Sequence, residues 1–96
     1  MTQLSYLGLL KRGGNITVGT DAVVRDIQRG QVFLVIVAED MSERIANDII
    51  EKARHNHIRV IKCWTKRDIG YAIGRGDVGV VAITDKRAAA KIQGGA

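Results

Sequence analysis

The sequence predicts an α/β fold, a three-layer α/β/α sandwich around a mixed, largely parallel four-stranded sheet. Three observations carry that expectation. Segments with helical spacing of apolar residues alternate with short β-rich segments along the whole chain. The run VFLVIVA, Val32 to Ala38, is apolar without alternation, as a strand is when helices cover both faces of its sheet. Finally, 96 residues with 46% hydrophobic content suffice for one core, so residues 1–96 are read as a single domain.

Leu4, Leu7 and Leu10 recur at helical spacing and give a first helix that stops at Gly13-Gly14. NITV, from Asn15, is a short strand. A second helix opens at Thr20, with Val23, Val24 and Ile27 facing inward and Gly30 placed as its left-handed terminal residue. Val32 to Ala38 follows as a central strand. Ser42 starts a third helix, with Glu43 in its first turn and an apolar stripe of Ile45, Ala46, Ile49, Ile50 and Ala53. IRVIKC, Ile58 to Cys63, is a third strand. Thr65 with Asp68 resembles a capping box and opens a short helix through Ile69 and Ala72 to Gly74. Val78 to Ile83 is the fourth strand, and Asp85 caps a last helix along KRAAAKIQ that frays at GGA.

Composition narrows the function. Fifteen Lys and Arg against ten Asp and Glu give a net charge of +5, which suits a polyanionic partner or simply a solvated surface. An aromatic content of 4% disfavours the stacking platforms that hold unpaired bases. The longest apolar run falls far short of the roughly 20 residues that cross a bilayer, so no membrane association is expected. One cysteine, Cys63, forms no internal bridge, and with no secretory signal the expected compartment is the cytoplasm.

Tempting motifs do not hold. GRGDVG, Gly74 to Gly79, fits G-x-G-x-x-G, but a dinucleotide fingerprint follows a strand and opens a helix. Here the order is reversed, which leaves a flexible glycine loop. His55, His57 and Cys63 match no zinc-ligand spacing, and the two histidines suit a helix C-terminus. Asp26, Asp40, Asp68 and Asp85 are spaced as caps and face residues rather than as a catalytic pair. No catalytic residue, metal site or cofactor is expected.

The junction ITVGTDAVVRDIQRG, Ile16 to Gly30, places a glycine, a hydroxyl and a carboxylate where a strand hands over to a helix. A helix start carries unpaired N–H groups and the positive end of the dipole. It therefore serves equally as a capped turn, with Thr20 or Asp21 as N-cap, or as the edge of an anion site.

VGTDAVVRDIQRG, FLVIVAEDMS, DIGYAIG and VGVVAIT, in that order, resemble the L-seven-Ae and L-thirty-e superfamily of ribosomal and kink-turn RNA-binding proteins, above all its small bacterial members, a resemblance that covers nearly the whole chain from about Leu7 to Ile92. The resemblance implies a non-enzymatic protein that grips sharply bent RNA through a glycine turn and a glycine-rich loop before the last strand. On that pattern the RNA-binding residues are Gly19, Thr20, Asp21, Ala22 and Arg25 in the turn, and Arg75, Gly76, Asp77 and Val78 in the loop. The family's most specific turn reads Gly-x-Asn-Glu with Lys three residues on. Gly19 matches and Arg25 keeps the positive charge, but Asp21 replaces the Asn amide with an acceptor and Ala22 removes the Glu carboxylate. Lys11, Arg12, Arg29 and Lys66 are further phosphate candidates. The expected partner is structured RNA, a kink-turn or ribosomal RNA, bound by a monomer. The alternative is a protein-interaction or ribonucleoprotein-assembly module that has lost specific RNA recognition.

Overall fold

The computed structural model describes residues 3–95. In chain order its elements are α1 (Gln3–Arg12), β1 (Ile16–Val18), α2 (Thr20–Gln28), β2 (Leu34–Val37), α3 (Glu43–His55), β3 (Val60–Lys62), α4 (Lys66–Ala72), β4 (Val80–Ile83) and α5 (Lys86–Gly95). The strands form one sheet in the order β1-β4-β2-β3.

Side chains of β2 point alternately to the two faces. Leu34, Ile36 and Ala38 join Leu7, Leu10, Ile69, Ile73 and Ile92 under α1, α4 and α5. On the other face Val35 and Val37 pack with Val23 and Ile27 of α2 and Ala46, Ile49 and Ala53 of α3. This double burial explains the continuous apolar run. Fully burying one such aliphatic side chain contributes about 1.5–3 kcal/mol.

The sheet is mixed, as expected, but its pairing is not largely parallel. Only β2 and β3 pair in parallel, while β4 pairs antiparallel with both β1 and β2. Strands β1, β2 and β3 do run the same way, because helical crossovers return each strand in the direction of the last. The last strand enters against them between β1 and β2, an insertion that no local pattern encodes.

Local capping follows the sequence in most places. Ser42 Oγ accepts from the Ile45 N–H and Thr65 Oγ1 accepts from the Asp68 N–H at 3.1 Å. Asp85 Oδ1 accepts from Ala88 N at 2.9 Å, and Gly30 takes φ 71 just beyond α2. Four details differ. The strands are shorter at their ends than the apolar runs. Ile45 is exposed rather than part of the buried stripe, since Ala46, Ile49 and Ala53 already fill that face. Helix α5 continues to Gly95, past the expected fraying point, and Ala96 lies outside the described residues. Asp26 is neither a cap nor a solvated face residue but a buried acid on α2.

Among the described residues no helix is long and apolar enough to cross a membrane.

Candidate nucleic-acid interface

The C-terminal ends of β1, β2 and β3 and the start of β4 meet at one end of the sheet, and the loops there clasp one another. Gly19 N–H donates to the Val80 carbonyl at 3.0 Å, and Ala38 N–H to that of Gly79 at 2.8 Å. Glu39 N–H donates to Trp64 O at 2.8 Å, while Asp40 Oδ1 accepts from Lys66 N–H, also at 2.8 Å. The Gly19 turn, bonded to Val80, and the Gly74–Val78 loop that leads into Val80 therefore lie at the same end of the sheet.

Gly19 has φ 96 and ψ 151, a conformation that side-chain-bearing residues rarely adopt. It is itself the N-cap of α2, and no side chain caps the helix, so the expected capping by Thr20 or Asp21 does not occur. The physical reason is position: the sharp turn at Gly19 makes Thr20 the first helical residue, too late for its hydroxyl to reach back to the free donors. Gly19 O accepts from Val23 N at 3.0 Å, and the three preceding N–H groups, of Thr20, Asp21 and Ala22, precede the first intrahelical bond. Asp21 is exposed in this first turn and Thr20 and Ala22 are half-buried.

Arg25, one turn further on, is half-exposed and donates through Nε to Asp26 Oδ1 at 3.3 Å. Asp26 is 7% exposed and its other oxygen accepts from Thr17 Oγ1 of β1 at 2.6 Å. The Thr17 hydrogen bond, opposed by burial and reinforced by Arg25 and Arg29, holds the Asp26 carboxyl below its ordinary range. Strand β1, helix α2 and the Arg25 guanidinium are thus tied at one buried charge.

The loop is not the flexible glycine segment expected from its sequence. Arg75 N–H donates to Gly70 O at 2.8 Å and Val78 N–H to Lys66 O at 3.0 Å, fastening it to α4 at two points. Gly70, buried within α4, allows the closest approach: a Cβ there would overlap the Gly76 carbonyl. Arg75, Gly76 and Asp77 are exposed. Val78 is not; at 7% exposure it belongs to the core under α4, so its side chain anchors the loop instead of facing a ligand.

Of the further phosphate candidates, Lys66 sits at this end. Lys11, Arg12 and Arg29 close their helices at the opposite end of the sheet, where β1 begins and α2 stops. Sequence reasoning missed Asp40, Gly70 and Trp64. Trp64 carries φ 63, a left-handed backbone unusual for a bulky residue, directly before the Thr65 cap. A tryptophan gives no sign of such a turn, whereas an acid two residues before Ser42 could have been weighed as a loop bridge.

Cys63 lies half-buried near this end, and burial followed by the Glu39 carboxylate pushes its thiol up, opposite to the activation of a nucleophile. Among the described residues no three His, Cys, Asp or Glu side chains gather around a common metal position.

The chain is similar to known proteins over nearly its whole length. It is 30% identical over 92 residues to the RNA-binding protein YlxQ of Bacillus subtilis, covering 96% of this chain and 92% of that one. It is 33% identical over 72 residues to the large ribosomal subunit protein eL8 of Halobacterium salinarum, covering 74% and 60%. A solved structure of a protein with unknown function from Bacillus halodurans superposes with a TM-score of 0.93 at 29% identity, covering 97% and 94%. The family model of ribosomal protein L7Ae/L30e/S12e/Gadd45 matches residues 2–93, and the chain belongs to that non-enzymatic family.

Proposed function

We propose that this chain is an RNA-binding protein that holds a sharply bent, kink-turn-like RNA across the Gly19 turn and the Gly74–Val78 loop. It acts as a single-domain monomer in a bacterial cytoplasm, associated with ribosomal or another structured RNA. The observation that supports this reading is the Gly19–Val80 hydrogen bond, which puts a helix N-terminus without a side-chain cap at the same end of the sheet as the exposed loop containing Arg75. The free N–H groups and the helix dipole receive phosphate, Arg25 reaches a second phosphate or a guanine edge, and the loop meets the RNA through Arg75, Gly76 and Asp77. Val78 holds the loop from beneath. RNA recognition in the names of YlxQ and, through the ribosome, eL8 supports the same class of partner.

Binding by shape and phosphate requires that a kinked internal-loop RNA outcompete a plain duplex of equal length, and that affinity fall steeply with salt. Competition gel shifts at fixed salt test this. Equal affinity for the two RNAs would leave only nonspecific attraction. The exposed Asp21 carboxylate favours the second reading, an assembly module without specific RNA recognition, and that reading predicts no preference for the kinked RNA.

A further inference from the structure

The pairing of β1 with β4 also brings the end of α1 against the start of α5, where Thr84 N–H donates to Asn15 O at 3.0 Å. This is the opposite end of the sheet from Gly19. Segments 3–15 and 84–92 contain Lys11, Arg12, Lys86, Arg87 and Lys91 with one carboxylate, Asp85, a net charge of +4. That carboxylate is engaged as the cap of α5, accepting from Ala88 N. By contrast, the Gly19 end mixes Arg25, Lys66 and Arg75 with Asp21, Glu39, Asp40 and Asp77.

Between α1 and α5 runs a groove of about 490 Å³, with Tyr6, Leu10 and Asn15 along one side and Asp85, Arg87 and Lys91 along the other. Arg87 and Lys91 are four apart and share a face of α5. Lys91 Nζ stands 5.4 Å from the centre of the Tyr6 ring, so its ammonium reaches across the groove toward α1.

We propose that this α1–α5 face is a second RNA-binding surface, which takes the phosphate backbone of a paired RNA segment and so lets one molecule bridge two segments. The charge pattern selects the occupant. A run of cations one helical turn apart meets regularly spaced phosphates and gains counterion release at each, an advantage that isolated carboxylates on a protein do not provide. The fork of Arg87 suits phosphate oxygens, and the Tyr6 ring holds the Lys91 ammonium beside it. Binding of a paired segment at this face stands apart from the Gly19 turn, whereas bridging of two segments rests on the function proposed above.

A fully paired RNA duplex without an internal loop is the probe, titrated over a range of salt concentrations. Arg87→Gln with Lys91→Gln should lower the slope of log affinity against log salt by about two, one for each lost phosphate contact. The single change Arg87→Gln, at an exposed position, should lower it by about one and guards against misfolding of the first variant, which thermal melting detects. An unchanged slope in a folded variant overturns the proposal. So does competition by polyglutamate of equal charge as effective as competition by RNA, which would mark an acidic protein as the partner. Failure of the kinked-RNA reading appears elsewhere, as equal affinity of the parent protein for kinked and plain RNA.

Discussion

Thr17 and Asp26 join β1 to α2 through a 2.6 Å hydrogen bond from hydroxyl to carboxylate, at a position where the acid is almost fully buried. The bond favours the charged form of Asp26 and lowers its pKa. The carboxyl binds its proton more weakly folded than unfolded, so its contribution to stability is complete above the unfolded pKa. That contribution disappears as pH falls through the lower folded value. Thr17→Val should destabilise the protein by about 1–3 kcal/mol at neutral pH, and the deficit should shrink in acid. Urea melts of parent and variant at neutral and acidic pH measure both effects; a deficit independent of pH would separate Thr17 from the charge.

Gly70→Ala puts a methyl group where the Gly76 carbonyl lies. Backbone has to move, and overpacking of this kind costs typically 1–3 kcal/mol. Thermal melting should register the loss, and amide exchange should quicken at Arg75 and Val78, whose N–H groups bond α4. Gly76→Ala, with open space around its Cβ position, should leave both measurements close to the parent.

Asp21→Asn with Ala22→Glu restores the family's turn, replacing a carboxylate that repels phosphate with an amide and adding an acceptor for guanine amino groups. Binding to a kink-turn RNA should tighten. Arg25→Ala should weaken it by roughly 1–3 kcal/mol if the guanidinium reads a guanine edge, and by less if it touches phosphate alone. Calorimetric titrations of the three proteins against one RNA at fixed salt decide between these. If Arg25→Ala binds like the parent and the double variant gains nothing, recognition does not run through the turn.

The Cys63 thiol, raised by burial and by Glu39, should react slowly with disulfide reagents at neutral pH. Glu39→Gln removes the smaller cause and should speed the reaction modestly. Absorbance assays of thiol release follow both proteins; an unaltered rate would assign the whole effect to burial.

Much of the fold is legible because it is local. The Ser42 and Thr65 caps, the left-handed Gly30 and the buried face of α3 each rest on residues within a few positions of one another. The candidate site is legible as two segments, since a glycine before a helix and a glycine-rich loop are visible in order. Their fine structure is not. Glycine and threonine both suit an N-cap, and only the backbone at Gly19 decides which one serves. The loop appears flexible until Gly70, four residues upstream of it, is seen to receive the Gly76 carbonyl. Val78 reads both as the first residue of the last strand and as an RNA contact; it precedes β4 and packs in the core, so only its burial follows the apolar run. Net charge is plain from composition, but the meeting of the α1 and α5 cations on one face emerges only when β1 and β4 pair.

The central position of β4 also governs how the protein must be made. Residues 80–83 supply the only sheet partner of β1 and one of the two partners of β2. During synthesis residues 1–79 are made before β4, with β1 unpaired and one edge of β2 open. The sheet closes only when its middle strand arrives last, and Gly19 gains its bond to Val80 in that same event. Assembly of the binding end is therefore a late checkpoint: a chain interrupted before Val80 keeps most of its helices in sequence but has no way to juxtapose the two segments that would meet RNA.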